Sequence, residues 1–119
     1  MIPEPESAEL AAFLRGRALV TSEVGEIELR RVNLRRGASP ERGDAVLARL
    51  TLLALTEEIR RAVGHLEPAR LRSLDAIHLA TVLHIRRALD GFVCYEGRLI
   101  DAARAAGLSV FAPGLLPPA

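Results

Sequence analysis

Glu28, Asp75 and Glu96 are the residues of this chain whose types and places point to joint chemistry. Glu28 lies about two turns into a helix that follows the apolar run ALVTS. Asp75 stands in the first turn of the otherwise apolar segment LDAIHLATVLH, and Glu96 directly follows FVCY. If the apolar runs are strands of a parallel sheet, all three acids lie where ligands collect, at the carboxyl ends of strands. Carboxylates brought to one sheet edge repel one another, and the usual compensation is a hard divalent cation taking oxygen ligands. Mg2+ or Mn2+ fits that donor set best.

Taken singly, each residue has an ordinary reading. Asp75 complements the positive end of its helix, an effect of about 0.3–1 kcal/mol. Glu28, within EIELRR, has Arg31 and Arg35 in reach on its own helix, and Glu96 is a turn acid. His78, one turn after Asp75, reads as a hydrogen-bonded core histidine rather than a ligand, and His65 and His84 as surface residues. Ser22 is first a helix cap and second an outer-shell or substrate-contacting group.

The elements that must position these side chains follow from periodicity and caps. Pro3 and Pro5 precede ESAELAAFLRG, a helix with Leu10, Phe13 and Leu14 apolar and Gly16 as its stop. ALVTS from Ala18 is a buried strand. Ser22 caps a helix closed by Gly37, with Val24, Ile27 and Val32 or Leu34 facing inward. A third helix starts near Pro40 and runs to about Arg49. LTLLALT reads as a short buried strand or a helical continuation, and periodicity alone does not separate the two. Thr56 with Glu57 and Glu58 starts another helix. Ser73 caps LDAIHLATVLHIRRAL, whose apolar side chains run round most of its circumference, so that helix is buried. GFVCY is a core strand, GRLIDAARAAG an amphipathic helix, and LSVFAPG a last strand and turn. This alternation predicts a layered α/β fold on a mostly parallel sheet.

Composition bounds the function. The chain has 119 residues, half of them apolar and 26% charged, an ordinary globular balance for one domain. We place that domain at residues 3–114, with 115–119 as a tail. Net charge is +1, so no overall basic field marks nucleic acid, although all sixteen basic residues are arginine and several are paired, as at Arg30-Arg31 and Arg86-Arg87. Cys94 is the only cysteine, which excludes an internal disulfide framework and points to a reducing compartment. The sequence shows no signal-peptide pattern and no apolar run of roughly 18 residues, so a cytoplasmic location is expected, with no role for a membrane.

In that order and spacing, LRSLDAIHLATVL, FVCYEGRLIDAARAAGL and VFAPG, preceded by IPEPESAEL and LVTSEVGEIELRR, resemble the PIN-domain toxins of bacterial VapBC toxin–antitoxin systems. The resemblance runs from about Ile2 to Gly114. It implies a three-layer PIN-like α/β/α fold and a Mg2+- or Mn2+-dependent endoribonuclease. It also implies an RNA substrate, a cognate VapB-like antitoxin and a homodimer with an interface near residues 5–36. By motif matching, Glu28 and Asp75 are two of the family's four site acids. Glu96 stands where the family usually has aspartate, which adds one methylene. Arg98 and the paired arginines would hold RNA phosphates. The family opens on a strand that ends in the first site acid, ahead of the PEPES run. This sequence shows no such strand, so the expectation is a PIN-like fold with its first central strand missing and with impaired activity. A non-catalytic PIN-like module that docks an antitoxin or dimer partner is the alternative. A phosphoacceptor domain also needs strand-end acids, but the ordered strings argue against it.

Overall fold

The computed structural model describes residues 12–114. Its elements run β1 (Leu19–Ser22), α1 (Glu23–Arg35), α2 (Pro40–Leu47), β2 (Leu50–Leu53), α3 (Glu57–Val63) and α4 (Ser73–His84). A 3-10 turn (Arg86–Ala88), β3 (Phe92–Val93), α5 (Gly97–Ala105) and β4 (Val110–Phe111) complete the order. The expected alternation is present, and LTLLALT contributes a strand. The helix expected over ESAELAAFLRG lies mostly outside the described residues; residues 12–14 are helical, and Gly16 follows at φ 72°. The tail at 115–119 lies outside them as well.

Helix starts are set by side-chain caps that satisfy first-turn N–H groups. Ser22 Oγ accepts from the Gly25 amide at 3.2 Å, Ser39 Oγ from Arg42 at 3.3 Å, and Thr56 Oγ1 from Ile59 at 3.3 Å. Ser73 departs from the expectation. It is the first helical residue of α4, and Arg72 takes the cap position without a side-chain hydrogen bond. Asp75 is then the acid that answers the positive end of α4.

β1 pairs with β2 in parallel, Leu19 opposite Leu50, and β3 pairs with β4 in parallel, Phe92 opposite Val110. Parallel neighbours need crossovers; α1 with α2 supplies the first and α5 the second. Among the described residues the strands form two two-stranded sheets, so the parallel α/β reading holds while the ladder is divided into two pairs. Gly91 is needed where the chain enters β3, because a Cβ there would overlap the Phe111 ring and approach the Ser109 carbonyl. Phe13 stacks obliquely on Phe111 at 5.2 Å, tying the segment before β1 to β4.

The main core gathers Leu79 of α4, Cys94 after β3, and Leu99, Ile100, Ala102 and Ala103 of α5, flanked by Leu83, Phe92 and Val110. α4 is not buried all round: Ala76, Leu79, Ala80 and Thr81 are buried, while Leu74 is half exposed. α1 differs more from expectation, since it has no buried residue and leaves Ile27 and Leu34 61% and 63% exposed. The reason is a rotation of the apolar stripe. Val24, Glu28 and Val32, spaced i, i+4, i+8, form the half-buried face that meets the fold. Turning Glu28 inward turns Ile27 and Leu34 outward.

Leu79 is fully enclosed at the junction of α4 and α5. Leu79→Ala is expected to cost about 2–5 kcal/mol, as a large-to-small core change with a residual cavity. Ile27→Ser, on the exposed side of α1, is expected to stay within about 0.5 kcal/mol. Urea unfolding followed by circular dichroism compares them.

Candidate functional site

The charges of Glu96 and Glu28 both reach the first turn of α4, where Asp75 stands. Asp75 is half-buried, and its carboxyl is raised above the usual aspartate range, first by burial and next by the charge of Glu96, with Glu28 adding in the same direction. His78 and Arg72 oppose the rise. Asp75 therefore feels both other acids.

Each flanking acid arrives with one oxygen already engaged. Glu28, presented by the half-buried face of α1, accepts from His78 Nε2 through Oε1 at 2.5 Å. Its partner is thus neither Arg31 nor Arg35. Among the described residues this is the one side-chain hydrogen bond that joins α1 to α4. Glu96 caps α5, Oε2 accepting from the Leu99 amide at 2.7 Å, so it is more than a turn acid. Glutamate is an uncommon cap, and the YEGRL spacing carries only a weak signal for it.

The neighbouring residues divide into supports and rim. Ser22 is buried, and its hydroxyl is engaged as the cap of α1. Cys94 is buried beside Asp75 and Glu96; burial, then the two carboxylates, push its thiol up to about 12, so it packs as a small protonated hydrophobe. Arg98 is exposed in the first turn of α5. Arg72, exposed at the start of α4 and within electrostatic reach of Asp75, was not singled out by sequence reasoning. His65 and His84 are exposed, as expected.

The donors are oxygens, the type that hard cations take. Three carboxylates are offered, two of them with one oxygen left, and their mutual repulsion is registered on Asp75. Among the described residues, however, no three His, Cys, Asp or Glu side chains stand close enough to hold an ion as they are. An ion here would draw on few protein oxygens and keep several waters, the habit of Mg2+. The acids line neither the cleft around Arg86, Asp90 and Ser109 nor the one around Arg30, Asn33 and Pro40. No helix among the described residues is long and apolar enough to cross a membrane.

Comparison with known proteins identifies the family. The PIN domain family pattern matches residues 2–89, a stretch that includes Glu28 and Asp75 and ends before Glu96. Ribonuclease VapC47 of Mycobacterium tuberculosis (strain CDC 1551 / Oshkosh) is 40% identical over 121 residues, covering 96% of this chain and 89% of the relative. Ribonuclease VapC46 of strain ATCC 25618 / H37Rv is 39% identical over 114 residues, covering 94% and 88%. Ribonuclease VapC35 of the same species is 41% identical over 119 residues, covering 93% and 87%. No solved structure gives a significant match.

The raised carboxyl of Asp75 makes a prediction about stability. A carboxyl whose folded-state pKa lies above its unfolded value disfavours the fold once ionised, so the penalty is absent at low pH and grows as pH rises through the titration. In metal-free protein, Asp75→Asn should therefore raise the melting temperature at pH 7, and the gain should vanish on acidification toward the usual aspartate pKa of about 3.9. Melting curves across that range in the presence of a chelator measure it.

Proposed function

This chain belongs to the PIN-domain family, and we propose that it is a Mg2+- or Mn2+-dependent endoribonuclease of the VapC kind, the toxin of a type II toxin–antitoxin pair. The observation that carries the reading is an identity of about 40%, over most of the chain, to proteins named ribonucleases, with the charges of Glu96 and Glu28 both acting on Asp75 in support. Asp75 with the free oxygens of Glu28 and Glu96 would hold the ion. The bound ion would supply Lewis-acid charge for activating water and for offsetting the negative charge that develops on the phosphorus-bound oxygens.

The chain's own part is to position. Helix α4 holds Asp75 at the edge of the core, His78 holds Glu28, and the Leu99 amide holds Glu96. Arg98 and Arg72, exposed in the first turn of α5 and at the start of α4, are suited to take RNA phosphates, whose geometry a guanidinium fork matches. With three Phe, one Tyr and no Trp, there is little to stack bases on, so binding should rest on phosphate charge and weaken steeply with salt. On this reading its work belongs in the cytoplasm, where the RNA is and where a lone thiol stays reduced. A VapB-like antitoxin and a second copy are its protein partners. The exposed pair Ile27 and Leu34, seven residues apart on α1, supports a protein-docking face.

The same exposed pair, with the incomplete clustering of the acids, favours a second reading: a PIN-like module that binds its antitoxin or a second copy and does not cut RNA. End-labelled RNA incubated with the protein and Mn2+ separates the two. The toxin reading expects cleavage that EDTA abolishes. It also expects Asp75→Asn to lower cleavage by more than about 100-fold, beyond the 10–100-fold typical of an outer-shell change. Absence of any EDTA-sensitive cleavage by folded wild-type protein would leave the binding module.

A further inference from the structure

We infer that the exposed face of α1, with the cleft it shares with α2, is a docking groove for an acidic amphipathic helix of a partner protein. The inference rests on the reading of Ile27 and Leu34 as a protein-docking face, and it holds whether or not the chain cuts RNA. Viewed down the axis of α1, Ile27 and Leu34 lie at the centre of one face, with Arg30 on one flank and Arg31 and Arg35 on the other. The two apolar side chains are 61% and 63% exposed. Beside Leu34 opens a cleft of about 170 Å3, bounded by Asn33, Ala38, Pro40 and Gly43. A small-molecule pocket has roughly 300–1,000 Å3, so this one suits a single inserted side chain. Its walls are fixed. Arg30 bridges to Asp44 of α2 at 2.8 Å and to Glu26 of its own helix at 3.1 Å, and the Asn33 amide donates to the Ser39 carbonyl at 2.8 Å. Gly43 lets α2 close on α1, since a Cβ there would press on the Asn33 side chain at 3.1 Å.

Charge names the partner's chemistry. From Leu29 to Pro40 the chain carries four arginines and no acid. Glu26 and Asp44 are both engaged by Arg30, and Glu23, one turn before Ile27, is engaged by the Leu55 amide at 2.7 Å. Arg31 and Arg35 are exposed and form no ion pair among the described residues. An apolar stripe flanked by unneutralised guanidiniums is complementary to a helix that carries apolar anchors at i, i+4 and i+7 with carboxylates beside them. A second copy seated here about a two-fold axis matches poorly, because Arg30 and Arg31, midway between Ile27 and Leu34, would face their own counterparts. RNA matches poorly too, since it would engage the arginines and leave two large apolar side chains without a partner.

The test uses the full chain with EDTA and without RNA, so its outcome is independent of cleavage. Fluorescence anisotropy follows a labelled synthetic helical peptide with leucines at i, i+4 and i+7 and glutamates beside them; the same peptide with lysines for glutamates is the control. The lysine peptide is expected to bind at least about 10-fold more weakly than the acidic one, and the gap should narrow as salt is raised. Leu34→Asp should weaken the acidic peptide by more than about 10-fold. Arg31→Glu with Arg35→Glu should reverse the preference, so that the lysine peptide becomes the tighter ligand. That gain of binding needs a folded protein, so it tests the groove even should Leu34→Asp fail to fold. Equal binding of the two peptides to wild type, or an unreversed preference in the arginine double variant, would overturn the inference. So would a short RNA that displaces the acidic peptide and is lost with the same two arginines but not with Leu34→Asp. Light scattering keeps the two levels apart. A dimer that Leu34→Asp converts to monomer assigns the face to a second copy and sinks only the acidic partner, whereas a monomer that binds neither peptide sinks the docking-face reading as well.

Discussion

The arrangement depends on a conflict within α4: the helix must be held in the core by Leu79 and Ala80 while its first turn carries a carboxylate that burial disfavours. Leu79 is fully enclosed against α5, which fixes the helix axis and so the position of Asp75 one turn earlier. Burial of such a side chain contributes about 1.5–3 kcal/mol, enough to outweigh the modest dipole effect of a first-turn acid. The helix is therefore placed by its apolar side chains, and the charge of Asp75 is carried along with it. Like charges from α1 and from the cap of α5 then add to the cost on Asp75.

A folded protein that half-buries an acid within reach of two other carboxylates gives up stability there, a pattern expected at functional sites. The supports around the acids show how the cost is contained. Arg72 and His78 oppose the rise on Asp75, Glu28 is hydrogen-bonded to an imidazole, and Glu96 is tied to a backbone amide at a helix start. Each support comes from the backbone or side chains of α4 and α5, the two helices that enclose Leu79. On the side of α1, the only side-chain hydrogen bond to α4, among the described residues, is the one from His78.

Much of this could be read in the sequence, for identifiable reasons. Strand-and-helix order followed from punctuation by caps, prolines and glycines, and Ser22, Ser39 and Thr56 stand where cap chemistry puts them. Asp75 stood out because an acid in an apolar helix is rare. What could not be read depended on rotation and on distance across the fold. Ile27 looked inward, with Val32 and Leu34 as alternatives, because periodicity fixes the spacing of a stripe but not which of two overlapping stripes packs; here the stripe through Val24, Glu28 and Val32 packs and Ile27 and Leu34 stay exposed. The His78–Glu28 contact joins positions 50 apart, and nothing local to either residue marks it. Ser73 lost the cap position because a residue earlier or later satisfies local propensity equally well, and such boundaries shift by one or two residues. The division of the strands into two pairs depends on which edges come together, which no local pattern encodes.

The engaged oxygens also bear on which cation the site would take. Glu28 brings one free oxygen because Oε1 is held by His78, and Glu96 brings one because Oε2 is held by Leu99. Neither can then bind in a bidentate manner without breaking a hydrogen bond to a charged acceptor, a loss of about 1.5–3 kcal/mol. Ca2+, which takes six to eight oxygens and commonly a bidentate carboxylate, would have to break those contacts or fill most of its shell with water. Mg2+ and Mn2+ are smaller; Mg2+ keeps several waters by preference and is well served by one or two single-oxygen carboxylate contacts. The hydrogen bonds that hold the acids in place thus also limit how many oxygens they can give. On the proposed reading, a site built in this way would favour a small, hydrated cation, which keeps the water that a hydrolytic reaction requires.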